Sequence, residues 1–182
     1  MNPAPNLILI GPMGAGKTSV GRRVARARGL EFVDVDQLLE QRTGASVSLI
    51  FELEGEAGFR LRERELLAEI CAGEGQLIAT GGGAVLDADN RALIRRSGFV
   101  VFLDLSVDQQ LLRLGRDRTR PLLQTPDRRQ RLLAMAEQRR PLYLELADLV
   151  LDSNGLSAAR ASQRLLSLLD ERWKRAEAGH AA

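Results

Sequence analysis

Residues Gly11 to Thr18 read G-P-M-G-A-G-K-T, which fits the pattern G-x-x-x-x-G-K-[ST]. Glycines at 11, 14 and 16 let the backbone curl until its N–H groups face one point, and a helix that follows adds its positive end. Such a loop cradles a nucleoside triphosphate. The backbone of Gly14, Ala15, Gly16, Lys17, Thr18 and Ser19 is therefore expected to hold the phosphates. Lys17 supplies a point charge, and Thr18 a hydroxyl for Mg²⁺. A phosphate loop identifies a nucleotide, not an activity, so the other chemical groups must decide.

Three further clusters follow. Asp34-Val35-Asp36 ends an apolar run. If that run is a strand, the two carboxylates leave on one side. One can hold water on a metal. The other can orient, or take a proton from, an acceptor hydroxyl. Both can equally serve as turn or helix-capping residues. Thr80-Gly81-Gly82-Gly83 ends another apolar run, stripping side chains where a ligand would approach or making a flexible loop. Arg116 to Leu123, RDRTRPLL, is cationic and lies between helices. It reads as a mobile lid carrying an arginine to the transferring phosphoryl group, or as a solvated loop.

The elements that must position these groups alternate. Strands are expected at 6–11, 31–36, 76–80, 99–105 and 148–152. Helices are expected over 17–28, around VSLIFEL, over 56–71, after a capping box at Ser106 and Gln109, around 132–138, and over 156–175. Continuous apolar strands alternating with helices imply a parallel sheet covered on both faces. Ligands of such folds bind beyond the carboxyl ends of the strands, which puts all these clusters at one edge.

Composition excludes other classes. The chain has 182 residues, the size of one domain, with 26 Lys and Arg against 24 Asp and Glu, and a net charge of +2. No run of like charge marks a nucleic-acid binder. No stretch is long and apolar enough to cross a membrane. The start, MNPAPN, does not read as a signal peptide. Cys71 is the one cysteine, so no internal disulfide or cysteine metal cluster can form, and it reads as a buried residue at a helix end. His180, the one histidine, lies in the C-terminal tail, which leaves the folded part without a histidine base. The protein is expected to be cytoplasmic, monomeric and a single domain over 1–182, with a lid about 115–127 and disordered tails at 1–5 and 176–182.

The joint set GPMGAGKT-SVGRRVA, D-V-D, GEAGFR, TGGGAV, TRPLL and R-R-P-L-Y-x-E-x-A-D resembles the shikimate kinase family over about residues 6–170. The resemblance implies a three-layer α/β P-loop kinase fold with a five-stranded parallel sheet and a mobile lid. It implies ATP as cosubstrate, Mg²⁺ as cofactor, and phosphorylation of the 3-hydroxyl of shikimate. Carried over by position, Lys17 serves the phosphates, Thr18 the metal, and Asp34 the outer metal shell. Asp36 contacts the reacting hydroxyl, as a base or by orienting it. Arg60 and Arg139 grip the substrate carboxylate beside Gly82 and Gly83. Arg120 is the lid arginine that reaches the phosphates, and Arg113 packs on the adenine. Met13, Phe51 and Phe59 form an apolar wall for the ring, although Phe51 and Phe59 also suit the core. VVFLD at 100–104 has the look of a metal-binding strand end at Asp104, with a plain strand-to-helix turn as the simpler reading. A gluconate-type carbohydrate kinase, or a nucleotide-dependent regulator that transfers no phosphate, would share the phosphate loop. The regulator would have no acceptor pocket.

Overall fold

A computed structural model describes residues 5–115 and 127–173. The lid segment, with Arg120, and the distal tail, with His180, lie outside the described residues, as do residues 1–4.

Five strands, β1 (Asn6–Ile10), β2 (Glu31–Asp34), β3 (Gln76–Ala79), β4 (Gly98–Asp104) and β5 (Leu149–Asp152), form one sheet in the order β2-β3-β1-β4-β5. Every pairing is parallel. Side chains alternate across the sheet, so β1 to β4 feed two apolar layers, while the edge strand β5 buries Leu149 and Leu151 on one side and leaves Val150 exposed on the other. Ile8, Ile10, Ile78, Val100 and Phe102 pack on one face against α2 (Val35–Thr43), α3 (Val47–Cys71), α4 (Ala88–Ser97) and α6 (Arg128–Leu146). Leu7, Leu9, Leu77, Val101, Leu103 and Leu151 pack on the other against α1 (Lys17–Arg28) and α7 (Ala158–Arg172). Trp173, the residue after α7, closes that second layer. Cys71 is a buried member of the first layer, as expected.

Several boundaries differ from the sequence reading. β2 stops at Asp34, and Val35 and Asp36 begin α2. Asp34 caps that helix by accepting from the Gln37 N–H at 3.2 Å, and Asp36 lies in the first turn, where the helix dipole favours negative charge. The two aspartates therefore do not share a strand face; a cap and a helical turn place them. α3 runs through both expected helical stretches, broken at Gly55, whose φ of 72° is left-handed. α6 is far longer than 132–138 and carries Pro141 inside it. Proline removes one helical N–H, but Tyr143 and Leu146 beyond it are buried in the core and hold the last turns in place.

Half of the expected capping box forms before α5 (Val107–Leu114). Ser106 Oγ accepts from the Gln109 N–H at 3.4 Å, while the Ser106 N–H donates to Asn154 Oδ1 at 3.0 Å. The second bond ties α5 to the loop after β5.

Candidate active site

The phosphate loop joins β1 to α1. Gly11 has a φ of 142°, and a Cβ there would lie 2.6 Å from the Leu103 carbonyl oxygen. Only glycine lets the loop start this close to β4. Gly14 and Gly16 also have positive φ, of 79° and 95°, and Gly16 is the N-cap of α1. Lys17 folds back across the loop, its Nζ donating to the carbonyls of Gly11 at 2.7 Å and Pro12 at 2.9 Å. Gln110 of α5, buried, donates to the Met13 carbonyl at 2.9 Å and braces the loop from below.

Thr18 Oγ1 donates to Asp34 Oδ2 at 2.6 Å. A hydroxyl and a carboxylate at the loop mouth are hard oxygen donors. They suit Mg²⁺, which takes few protein ligands and shares phosphate oxygens. Among the described residues no group of three or more His, Cys, Asp or Glu is placed to hold a metal ion.

Arg113 lies between the loop and the residues after β5. It donates to Gly14 at 3.1 Å and Ala15 at 3.4 Å, and also to Ser153 at 2.8 Å and Leu156 at 3.0 Å, all through backbone carbonyls. The Ser153–Leu156 segment was not among the expected site residues. Its signal is the turn pair Asn154-Gly155, where Gly155 has a φ of 66°.

Beyond Thr18 opens a cleft of about 570 Å³ lined by Met13, Asp34, Asp36, Phe51, Phe59, Arg60, Glu63, Gly81, Gly82, Gly83 and Arg139, among others. Phe51 and Phe59 are in ring contact, centroids 4.6 Å apart. Phe59 is buried in the first core layer and Phe51 packs against it, so they serve as both wall and core. Arg60 Nη1 donates to Glu63 Oε2 at 2.6 Å. Arg139 reaches the cleft from α6, with 8% of its surface exposed. Burial lowers its pKa, and the nearby charge of Arg60 adds to this. Two cations converging in a partly desolvated cleft are suited to an anionic group.

The glycines make this crowding possible. A Cβ on Gly83 would sit 2.0 Å from Arg60 Nη2, and one on Gly81 would sit 2.5 Å from Glu63 Oε1 and 3.1 Å from Asp36 Oδ1. The N–H groups of Gly82 and Gly83 donate to no group among the described residues. They stand just before the short 3₁₀ turn Ala84–Leu86, where such donors are left over.

Glu63 was not anticipated. Its side chain is wholly buried, and Oε1 has no hydrogen-bond partner among the described residues. Burial pushes its carboxyl pKa up, opposed chiefly by Arg60. The available signal was its place three residues after Arg60 on a helix, where side chains meet. Asp104 takes the simpler of its two readings. It pairs with Arg140 at 2.8 Å, and its carbonyl accepts from the Ser153 N–H and hydroxyl. Ser19 is exposed on the first turn of α1. Every expected site residue except Arg120 is described, and the acceptor-side residues meet in one cleft.

The shikimate kinase family profile matches residues 13–170. The chain is 61% identical to a shikimate kinase of Stenotrophomonas maltophilia (strain R551-3) over 96% of this chain and 97% of that one. It is similar to the structure of shikimate kinase from Acinetobacter baumannii in complex with shikimate, with a TM-score of 0.89 and 44% identity, covering 94% of this chain and 96% of that one. A gluconokinase from Sinorhizobium meliloti aligns over 93% of each chain with a TM-score of 0.58 and 19% identity, a likeness of fold alone.

Proposed function

The chain belongs to the shikimate kinase family, and on that premise we infer how its own residues phosphorylate the 3-hydroxyl of shikimate at the expense of ATP. The observation that carries the reading is the cleft itself. Asp36, Arg60, Arg139 and the triple glycine line one cavity that opens directly beside Thr18 of the phosphate loop. A regulator that transferred no phosphate would have no use for such an acceptor pocket.

The Arg60 and Arg139 guanidinium groups, with the Gly82 and Gly83 N–H groups, hold the shikimate carboxylate. Guanidinium matches carboxylate in a two-pronged geometry, so the ring is oriented as well as bound. Asp36, which lines the same cleft beside Gly81, accepts the hydrogen bond of the 3-hydroxyl and takes its proton as the phosphoryl group arrives. In a loose transition state the nucleophile needs positioning more than base strength, so a carboxylate of ordinary basicity is sufficient. On the nucleotide side, the loop N–H groups and Lys17 hold the phosphates. Lys17 exchanges its carbonyl contacts for phosphate oxygens. Thr18 and Asp34 would hold Mg²⁺, which would supply positive charge against the phosphates. Arg113 packs on the adenine, and Arg120 reaches the transferring group.

The whole chain 1–182 acts in this reading as one kinase domain and as a monomer, with ATP and shikimate as its partners and neither nucleic acid nor membrane. A single buried cysteine suits the reducing cytoplasm. The test is coupled ADP release from Mg-ATP with and without shikimate, with gluconate and quinate as controls. Turnover dependent on shikimate is expected. ADP release indifferent to shikimate would remove the acceptor assignment.

A further inference from the structure

Arg139 and Tyr143 are four residues apart on α6 and so face the same way. Tyr143 is buried, with its ring stacked on Phe102 of β4 at a centroid distance of 4.9 Å. Its hydroxyl donates to the Gly82 carbonyl at 2.5 Å. The charge of the Arg139 guanidinium acts on the same phenol. Tyr143 does not line the acceptor cleft. It lies behind the wall, between the arginine and the glycine turn that both face the acceptor.

We propose that Tyr143 is a positioning residue for the acceptor carboxylate, setting the Gly82–Gly83 peptide and Arg139 from behind without touching the substrate. The physical reason is the planarity of the peptide. In a trans peptide the carbonyl of Gly82 and the N–H of Gly83 point in opposite directions. Pinning the carbonyl onto Tyr143 therefore aims the Gly83 N–H away from α6. Glycine has the widest backbone freedom of any residue, and three in a row would otherwise let this peptide rotate. The Phe102 stack fixes the ring, so the hydroxyl is a fixed point rather than a floating donor. Burial pushes the phenol pKa up to about 12, opposed by Arg139, so the hydroxyl keeps its proton and remains a donor across the physiological range.

The inference rests on the shikimate kinase reading, and its test separates the two. Tyr143→Phe keeps the ring, its volume and the stack, and removes only the hydroxyl. The KM for shikimate is expected to rise about tenfold, the scale of leaving one buried acceptor unbonded. The kcat and the KM for ATP are expected to stay at the wild-type values. A purely structural role would instead move both substrates together or lower Tm alone. An unchanged KM for shikimate, or parallel rises for both substrates, overturns the proposal. Should the variant fold poorly, the wild-type sequence supplies a second readout, because Tyr143 is the one tyrosine in the chain. Protein grown with 3-fluorotyrosine then carries a single ¹⁹F label. Its resonance is expected to shift on adding shikimate and not on adding Mg-ATP; no shift with shikimate overturns the proposal. Wild-type enzyme without shikimate-dependent turnover would instead overturn the acceptor reading, and this inference with it.

Discussion

Thr18 and Asp34 are joined by a hydrogen bond of 2.6 Å, the hydroxyl of the phosphate loop to the carboxylate that ends β2. The same aspartate caps α2, so one side chain ties the nucleotide site to the start of the acceptor site. Asn caps a helix about as well as Asp, so Asp34→Asn should leave Tm near wild type while removing the charge. The Mg²⁺ concentration for half-maximal activity is expected to rise about tenfold or more, as for lost outer-shell partners of a metal. A magnesium titration of initial rates reads this directly, and an unchanged midpoint would detach Asp34 from the metal.

Asp36 is half-buried in the cleft and belongs to a helical turn rather than a strand. Asp36→Asn keeps its size and removes its ability to take a proton. Turnover should fall by about 10² or more, the usual contribution of a positioned acid or base. Steady-state rates at saturating shikimate check it. A variant with near-normal kcat would leave Asp36 an orienting group with no proton to accept.

Two glycine substitutions should fail in different ways. In Gly83→Ala the new methyl would meet the end of the flexible Arg60 side chain, 2.0 Å from Nη2, while the φ of −94° suits any residue. Arg60 must move, so the KM for shikimate should rise at least about tenfold with little change in Tm, as for a lost charged hydrogen bond. In Gly11→Ala the methyl would meet backbone, the Leu103 carbonyl oxygen at 2.6 Å, at a φ of 142°. Backbone strain of that kind costs about 1–3 kcal/mol before the clash is counted. A lower Tm is expected there. Equal melting temperatures for the two variants would contradict this division.

Glu63 is a buried carboxyl whose pKa is raised above the ordinary value of 4.5, first by burial. The folded state then holds this proton more tightly than the unfolded chain does. Its stabilising contribution is full below the unfolded pKa and is lost as pH rises through the folded one. Glu63→Gln removes that dependence. Thermal melts of the two proteins from acid to neutral pH should show the variant gaining on the wild type as pH rises above about 4.5, the ordinary carboxyl value. Glutamine can still accept from Arg60 but has no charge to hold the guanidinium as the carboxylate does, so the KM for shikimate should rise in the same variant. Parallel melting curves would mean that Glu63 titrates like an exposed group.

Whatever acts within one short stretch could be read from the residues themselves. The phosphate loop is contiguous, so its glycines, Lys17 and Thr18 announce its chemistry by spacing. The apolar strands foretold the parallel sheet, because a strand covered on both faces has no polar side. Gly82 and Gly83 stood out as part of a glycine run ending an apolar stretch, but Arg60 and Arg139 were found by likeness to a family pattern, since a lone arginine carries no local mark of its partner.

Tertiary structure decided the rest. Tyr143 and Gly82 are 61 residues apart, and Arg113 meets Ser153 across 40, so no local pattern relates them. Glu63 looks like any helical surface acid until α3 packs against the glycine turn and takes it out of water. Asp34 and Asp36 were expected to share a strand face, yet they share a cleft because a helix starts between them. The sequence by itself determined which groups are available and which elements carry them. Only the packing of α2, α3 and α6 around the strand ends decided which groups meet. Burial, charge and hydrogen bonding depend on neighbours in space, and chain order does not specify those neighbours.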